Sequence, residues 1–456
     1  MLVSSPANGS WITRLSARAL FLPLLHSSLY LAPKIAHNKN PVSPISLFLA
    51  PWVVPISSPV IADGAVAIRD GRIIAVGGAS SLQAQFAQSR VENCQGVLLP
   101  GLVNAHIHLE LSAYHRIPQP TPDQIFCDWI RSLLQHRQTG QTSVEDTIGA
   151  AHQMLEQQYN TGIVLLLDIG NTIPASSATM QSAGEITFLL ELLGPDAKSE
   201  EQVLARINSL SDSVSATAHA PYSTTAGIMT VLKKRAERLA HIFSLHVAES
   251  ADEVELLRTG QGCFREFLEE RGAWDGRFPR PGRNTQGAVD YLADLGLLDA
   301  NLICVHCVQV SEPEVKLLAR NGCKICLCPG SNRFLGVGVA PLEMMLNHGL
   351  LPAIGTDSMA SNEALDLWRE MQTLREDHPG VSPARILAMA TLGGAQALGR
   401  QQDFGTLAPG RKARLLNVNS PALQMARDAE QLVDILTGGG QPEELCWMSE
   451  DGNSKV

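Results

Sequence analysis

The chain has 456 residues, of which 45% are hydrophobic and 18% are charged, and its formal net charge is −10. This composition is typical of a soluble globular protein with a large core and excludes extensive disorder. Because no stretch is dense in Lys or Arg, the acidic balance excludes a polyanionic partner such as nucleic acid and favours a small-molecule substrate.

Residues 1–44 do not resemble part of a globular core. Arg14 and Arg18 precede the apolar run 19–25, which is similar to a secretion signal but is short and interrupted by Pro23. The run is also too short to cross a membrane, so we expect no membrane association. We predict a poorly ordered extension or an upstream mis-start, with a signal peptide as the alternative.

The nine cysteines form an odd set, and most lie in apolar runs rather than at loop positions suited to disulfides. We therefore predict free thiols and a cytoplasmic protein. Cys304, Cys307, Cys323 and Cys326 match the spacing of a four-cysteine zinc site. Both pairs lie in strand-like sequence, where positions three apart face opposite ways, so we interpret them as buried small hydrophobic residues.

Short β-like pieces occupy residues 45–96 and return near the end of the chain. Asp70 and Gly71 separate two apolar runs, which is a strong signal for a β-hairpin. The sequence is again β-like at 405–410 and at 414–418. We predict a small β-sandwich domain built from both chain ends, residues 45–96 and 400–450.

Eight apolar, strand-like runs lie between residues 97 and 399, and helical stretches separate most of them. The runs are Val97–Ala105, Gly162–Ile169, Ile186–Leu193, Val214–Ala220, Ile242–Val247, Leu302–Val308, Cys323–Cys328 and Leu351–Gly355. The predicted helices include Thr142–Gln158, Thr225–Leu239 and Pro313–Asn321. Eight βα units over this length predict an α/β fold, a (β/α)8 TIM-like barrel at residues 97–399.

Polar residues stand where these strands are predicted to end. In chain order they are His106 and His108, Asp168 and Asn171, Glu191, His219, His246 and Glu249, His306, Ser331 and Asn332, and Asp357. Because the active site of such a barrel gathers at the C-terminal ends of its strands, we expect these side chains to converge. His106 and His108 are two residues apart, so they share one face of a strand, and imidazole is a ligand of zinc and iron.

Four segments resemble the amidohydrolase superfamily, specifically its cytosine/adenosine/guanine deaminase and chlorohydrolase branch. They are Pro100–His108, Leu245–Glu249, Val305–Cys307 and Gly355–Ser358. The resemblance extends from about residue 45 to residue 418. It implies one divalent metal, with zinc expected first and iron as the alternative, held by His106, His108, His246 and Asp357.

The same resemblance implies roles for the remaining polar residues. Glu249 is the expected proton shuttle, His306 orients the attacking water, and Asp357 takes a proton from that water while it stays beside the metal. These roles suit general acid–base chemistry at a metal site. Binuclear relatives that resemble dihydroorotase use a modified lysine as a bridge, and no Lys lies in the central strands before His219, so we expect one metal.

Substrate recognition is expected from Glu110, Trp129, Arg137 and His219. These residues resemble positions of adenine-nucleoside deaminases, including aminodeoxyfutalosine deaminase, and in related thiomethyladenosine deaminases a histidine like His219 contacts the substrate. Arg137 suits a carboxylate, with an exposed helix cation as the alternative.

The sequence hypothesis is hydrolytic deamination of a 6-aminopurine nucleoside-like substrate, with Glu249, His306 and Asp357 as catalytic residues. Guanine deamination and chlorotriazine-type hydrolysis are the enzymatic alternatives. A binding scaffold that has lost turnover is the alternative from another class. The resemblance also implies a homodimer as the assembly to test.

Overall fold

The computed structural model describes residues 44–114, 117–121, 124–138, 143–172, 184–276, 285–440, 442–449 and 454–455. The predicted extension at 1–44 lies outside the described residues except for Pro44. Within the described ranges, no helix is both long and apolar enough to cross a membrane.

The described strands number sixteen. They are β1 (Ser46–Val53), β2 (Ile61–Arg69), β3 (Arg72–Gly78), β4 (Arg90–Asn93), β5 (Val97–Pro100), β6 (Leu102–Ile107), β7 (Ile163–Gly170), β8 (Glu185–Leu192), β9 (Ala216–Ala218), β10 (Phe243–Val247), β11 (Leu302–His306), β12 (Lys324–Leu327), β13 (Ala353–Ile354), β14 (Leu415–Asn419), β15 (Glu444–Met448) and β16 (Ser454–Lys455).

The α-helices of the described part also number sixteen. They are α1 (Ala79–Gln85), α2 (Phe126–Gln138), α3 (Val144–Asn160), α4 (Ala197–Ser209), α5 (Ala226–Leu239), α6 (Ala251–Thr259), α7 (Cys263–Glu270), α8 (Ala288–Asp294), α9 (Glu312–Arg320), α10 (Pro329–Leu335), α11 (Leu342–Asn347), α12 (Leu367–Asp377), α13 (Pro383–Ala388), α14 (Gly394–Ala397), α15 (Pro421–Gln424) and α16 (Ala429–Gly438).

The structure confirms the three helices predicted above as α3, α5 and α9, and each predicted end lies within two residues of the observed end. Ser143 and Asp146 form a capping box at the start of α3, so this helix begins after residue 142, which itself lies outside the described residues. The Thr225 hydroxyl caps α5, and Ser311 forms a second capping box at the start of α9.

Eight parallel strands form two four-stranded sheets, in the orders β6-β7-β8-β9 and β10-β11-β12-β13. Their edges meet at two places. Ile107 pairs in parallel with Asp357, and the His246 N–H donates to the His219 carbonyl at 2.9 Å. Each of the eight predicted runs overlaps one of these strands, which confirms the α/β architecture of parallel strands alternating with helices.

The first predicted run is divided between two sheets. Its first part, β5, pairs with β1 and β14, whereas its second part, β6, pairs with β7. Gly101 lies between them, and a Cβ there would lie 2.7 Å from Cβ of Val164. The close approach of these two segments requires glycine at the point where the chain leaves one sheet for the other.

The remaining strands form one eight-stranded sheet from both chain ends, in the order β16-β15-β14-β5-β1-β2-β3, with β4 paired to β1. The predicted hairpin is confirmed, since Asp70 and Gly71 have φ values of 53° and 70° between β2 and β3. The expectation of β structure at 405–410 is wrong. Gly405 and Gly410 have φ values of 88° and 90°, and this left-handed backbone interrupts an extended conformation.

The cysteines are only partly as predicted. Cys304, Cys307, Cys323 and Cys326 are free and buried, in agreement with their interpretation as core residues. The prediction of free thiols is wrong for Cys127 and Cys263, which form a disulfide. They lie 136 residues apart in the first turns of α2 and α7, and only the packing of these helices brings them together.

Candidate active site

Four histidines converge at the C-terminal ends of the parallel strands. His106 belongs to β6 and His108 follows it, His246 belongs to β10, and His306 ends β11. The ring centroid of His106 lies 4.8 Å from that of His108 and 4.9 Å from that of His246, and the rings of His246 and His306 are 5.3 Å apart. All four side chains are buried, so the strand ends create one enclosed imidazole cluster.

Asp357, which follows β13, joins this cluster with one fixed oxygen and one that faces the imidazoles. Its Oδ2 accepts hydrogen bonds from the hydroxyls of Ser331 and Ser361, both at 2.6 Å. Its Oδ1 lies 3.5 Å from Nε2 of His106 and 3.5 Å from Nε2 of His108. The two serines therefore set the direction of the carboxylate.

The donor set suits a divalent metal ion. Candidate ligand atoms of His106, His246, His306 and Asp357 all lie within 4.8 Å of one another, and those of His108, Glu191 and His246 form a second such group. Within the described part of the chain, neither ring nitrogen of His106 has a hydrogen-bond partner, nor does Nε2 of His306. Buried nitrogens without partners cost free energy unless another group, such as a metal ion, meets them.

The orientation of the imidazoles supports the same conclusion. Nδ1 of His246 donates to the His219 carbonyl at 3.2 Å, and Nδ1 of His306 bonds to Oδ1 of Asn332 at 2.9 Å, which leaves Nε2 of each ring for a ligand role. Burial lowers the pKa of His106 to about 4, so this ring is neutral at pH 7, as a metal ligand must be.

Glu249 stands beside the cluster in a form suited to hold a proton. It is 4% exposed, and its Oε1 lies 3.5 Å from Nε2 of His306. Burial, followed by the charge of Asp357, raises the pKa of Glu249 well above its usual range. Its position is braced by Glu253 on α6, whose carboxylate accepts hydrogen bonds from the N–H groups of Ala248 and Glu249 at 3.1 and 3.0 Å.

Unfavourable backbone conformations are concentrated at this site. Eight described non-glycine residues have positive φ values, and four of them lie at or beside this site: Ala248, His306, Cys307 and Asp357, with values of 52°, 69°, 48° and 58°. Each such residue costs on the order of 1–3 kcal/mol and persists only where the surrounding structure holds it. The placement of the site is therefore maintained against a local energetic cost, which is common at functional sites.

A cavity of about 300 Å³ opens over the cluster, and all four residues predicted to bind substrate line it. Glu110 accepts a hydrogen bond from Arg137 at 3.3 Å, and Nδ1 of His219 bonds to the Ser223 hydroxyl at 2.6 Å. Trp129 stacks on Phe126, and its buried Nε1 has no hydrogen-bond partner among the described residues. The outer wall is apolar and includes Phe126, Leu133, Leu134, Phe267, Leu268 and Leu335.

Helices α2 and α7 supply much of this apolar wall and are linked to each other. The Cys127–Cys263 disulfide joins their first turns. The Arg131 guanidinium donates to both carboxylate oxygens of Glu270, each at 3.1 Å. The two helices are thus linked by one covalent bond and one bidentate ion pair, in addition to the packing of their apolar side chains.

Three residues at the site had no role assigned from sequence. Glu191 was recognised as a strand end but not as a cavity residue, although it lines the cavity beside His246. Ser361 carried no signal, because its contact with Asp357 depends on the turn after β13. The sequence only weakly indicated the contact of Glu253 with Glu249, through its position four residues later at the start of a helix.

With this geometry established, the chain can be compared with known proteins. It belongs to the amidohydrolase family, which it matches over residues 97–438, and it is a hydrolase acting on C–N bonds. Residues 64–88 also match an imidazolonepropionase-like composite domain of bacteria. The resemblance inferred from the four sequence segments is thereby confirmed.

Individual relatives are similar along nearly the whole chain. The 5-methylthioadenosine/S-adenosylhomocysteine deaminase of Moorella thermoacetica is 30% identical over 398 residues, 83% of this chain and 87% of that protein. An adenosine deaminase from Xanthomonas campestris, solved with bound zinc, superimposes with a TM-score of 0.74 at 25% identity, covering 91% of this chain and 94% of that one. The aminofutalosine deaminase of Helicobacter pylori has the same fold, with a TM-score of 0.73 at 23% identity and coverages of 88% and 98%.

Proposed function

We propose that this chain is a metal-dependent aminohydrolase that releases ammonia from a 6-aminopurine nucleoside-like substrate. The observation that carries the proposal is the position of Glu249, a buried carboxyl with a raised pKa, 3.5 Å from His306 at the edge of a donor set that suits a divalent metal. The relatives named as deaminases of adenosine-type nucleosides support the same reaction.

The metal would be held by His106, His108, His246 and Asp357, with zinc expected before iron. When bound, a divalent metal of this kind lowers the pKa of a coordinated water to about 7 and so supplies a nucleophile at neutral pH. Asp357 suits this site because its Oδ2 is held by two serine hydroxyls while its Oδ1 faces the imidazoles. A proton from the attacking water passes to Oδ1.

Glu249 and His306 act on the other side of the reaction centre. Glu249, whose pKa is raised by burial, donates a proton to the ring nitrogen next to the attacked carbon. As the carbonyl forms, Glu249 takes the proton of the added hydroxyl group and delivers it to the departing ammonia, and the proton held by Asp357 returns to Glu249. His306 keeps its orientation through Asn332 and aims its Nε2 at the attacking water. Burial of both side chains excludes bulk water from the transfer.

Substrate contacts are assigned to Glu110, Trp129, Arg137 and His219. The apolar wall of α2 and α7 suits a purine with a hydrophobic substituent, and the unpartnered Nε1 of Trp129 offers a donor to the substrate. Arg137 donates one N–H group to Glu110 and has further N–H donors, which suits a carboxylate-bearing substrate such as aminodeoxyfutalosine.

We also propose the finer architecture. The two parallel sheets close into one eight-stranded barrel over residues 97–399, an arrangement that the Ile107–Asp357 and His219–His246 backbone contacts support. The eight-stranded sheet belongs to a small β-sandwich domain, residues 45–96 and 400–450, and its strands β5 and β16 extend beyond these bounds. Residues 1–44 precede both.

A substrate panel tests the function directly. The purified full chain loaded with zinc or iron is incubated with adenosine, methylthioadenosine, adenosylhomocysteine and aminodeoxyfutalosine, and ammonia is measured. Release from at least one compound is expected. Turnover of guanine or chloride release from a chlorotriazine, with no ammonia from the four nucleosides, would assign the site to a different hydrolysis. No turnover at all would leave only a binding scaffold.

A further inference from the structure

Glu191, at the C-terminal end of β8, lines the cavity and has one carboxylate oxygen without a hydrogen-bond partner among the described residues. The residue is 5% exposed and lines the cavity wall. Its Oε2 accepts a hydrogen bond from Nδ2 of Asn171 at 3.0 Å, which fixes the carboxylate. Its Oε1 is buried and has no hydrogen-bond partner in the described ranges of the chain. Leaving a buried acceptor unsatisfied costs free energy, which a ligand donor would recover.

No neighbouring group among the described residues donates a hydrogen bond to this oxygen. The nearest imidazole nitrogen is Nδ1 of His246, which lies 3.8 Å away and donates instead to the His219 carbonyl. A distance of 3.8 Å is too long for a hydrogen bond. Within the described part of the chain, Oε1 of Glu191 therefore has no protein donor, and the residue that carries it lines the cavity.

Glu110, the other carboxylate on this side of the cavity, is occupied. Its Oε1 accepts from Arg137 at 3.3 Å, and its Oε2 accepts from the N–H and the hydroxyl of Thr172 at 3.1 and 3.0 Å. Of the two carboxylates, Glu191 is the one that has an oxygen without a donor in the part of the chain that the structure describes.

The chemistry of the proposed substrate class identifies the donor that Glu191 would meet. An ionised carboxylate only accepts hydrogen bonds, and an adenine nucleoside has two kinds of donor, its 6-amino group and its sugar hydroxyls. In the proposed reaction the amino group lies beside Glu249 and His306, whose side chains are 3.5 Å apart. The sugar hydroxyls are the donors that remain for Glu191.

We propose that Oε1 of Glu191 accepts a hydrogen bond from the sugar hydroxyls of the substrate. Through this bond Glu191 makes the protein bind a nucleoside more tightly than the corresponding dideoxynucleoside. This inference rests on the proposed function for the identity of the substrate. Asn171 acts as a positioning residue, because it holds the other oxygen of the same carboxylate.

The test measures binding, so that it does not depend on turnover. Inosine, the product expected from adenosine, and 2′,3′-dideoxyinosine are titrated by calorimetry into the full chain, Glu191→Ala and Glu191→Gln. Wild type should bind inosine about 10- to 100-fold more tightly than the dideoxy compound, since a hydrogen bond to a charged group is at stake. Glu191→Ala should abolish this preference, and Glu191→Gln should reduce it while preserving the side-chain shape.

Glu185→Gln is the matched control, since Glu185 lies on the same strand but pairs with Arg400 and Lys412 away from the cavity. It should keep the preference for inosine. Absence of a preference in wild type, equal weakening of both ligands in the Glu191 variants, or loss of bound metal in Glu191→Gln would each overturn the inference. If wild type prefers inosine over 2′,3′-dideoxyinosine and the Glu191 variants lose this preference, while no nucleoside releases ammonia, the proposed function fails and the role of Glu191 stands.

Discussion

Oε1 of Glu249 lies 3.5 Å from Nε2 of His306, and both side chains are almost completely buried. The pair joins a carboxyl whose pKa is raised by burial to an imidazole whose other nitrogen is held by Asn332. This relationship distinguishes the site from a simple metal-binding cluster, because it places a carboxyl suited to general acid–base chemistry beside an imidazole of the candidate metal site.

Glu249→Gln should lower turnover by about two to four orders of magnitude, the usual scale for losing a general acid–base residue. Because Glu249 is not among the expected metal ligands, metal content should stay near that of wild type. Steady-state ammonia release and elemental analysis measure the two quantities. Glu255→Gln, an exposed change on the neighbouring helix α6, is the control and should have no effect. Survival of full activity in Glu249→Gln would refute the mechanism.

Ser361→Ala should weaken metal binding by about 10- to 100-fold, the range seen when a group that orients a ligand is removed. The substitution deletes one of the two hydroxyls that hold Oδ2 of Asp357. Competition with a chelator of known affinity measures the change. Ser132→Ala, at an exposed helix position, should leave metal affinity unaltered. Unchanged affinity in Ser361→Ala would show that the hydroxyl does not orient the ligand.

Removing the Cys127–Cys263 disulfide should destabilise the protein by about 2–4 kcal/mol, because the bond constrains a long loop in the unfolded chain. Cys127→Ser, Cys263→Ser and reduction of wild type with a dithiol should give similar losses in denaturant unfolding. Cys446→Ser, at a half-buried free thiol, controls for the loss of a sulfur atom. Equal stability of oxidised and reduced wild type would contradict the prediction.

Glu370 should make stability depend on pH. Burial raises its pKa to about 8, despite hydrogen bonds from the Gly330 N–H and the Asn362 amide. Its unfolded value is about 4.3, so the folded state holds the proton more tightly between these limits. The resulting stability is fully present below about pH 4.3 and is lost as the pH rises through about 8.

The size of this effect should be on the order of 3–5 kcal/mol. Glu370→Gln imitates the protonated carboxyl, so its free energy of unfolding should decline less than that of wild type between pH 5 and pH 9. Denaturant unfolding at several pH values compares the two proteins. If the free energy of unfolding changed equally with pH in both proteins, Glu370 would not titrate in this range.

Gly355→Ala should destabilise the protein by about 1–3 kcal/mol, the usual cost of overpacking a core. A Cβ at this position would lie 2.7 Å from Cβ of His106 and 2.9 Å from Sγ of Cys326. Displacement of His106 should also weaken metal binding. Gly149→Ala, in open space within α3, should be neutral or slightly stabilising because alanine favours a helix. A Gly355→Ala protein as stable as wild type would show that His106 can shift without lowering the free energy of unfolding.

Much of the fold could be predicted because hydrophobic periodicity is a local property. All eight residues of β7 are buried, as its uninterrupted apolar sequence indicates for a strand covered on both faces. The Asp70–Gly71 hairpin was equally local, since these residues supply the left-handed backbone that the turn needs. The division of the first run at Gly101 was not predictable, because its cause is the approach of Val164 from another strand.

The sequence by itself determined which side chains stand at strand ends, including His106 and His108, and it indicated the family through the motifs around them. Only the tertiary structure decided how these groups meet: that Asp357 turns one oxygen toward His106, that Cys127 bonds to Cys263, and that Oε1 of Glu191 has no donor among the described residues. The physical reason is that strand and helix patterns arise from neighbouring residues, whereas these contacts depend on distances of a few ångströms between segments that packing alone brings together.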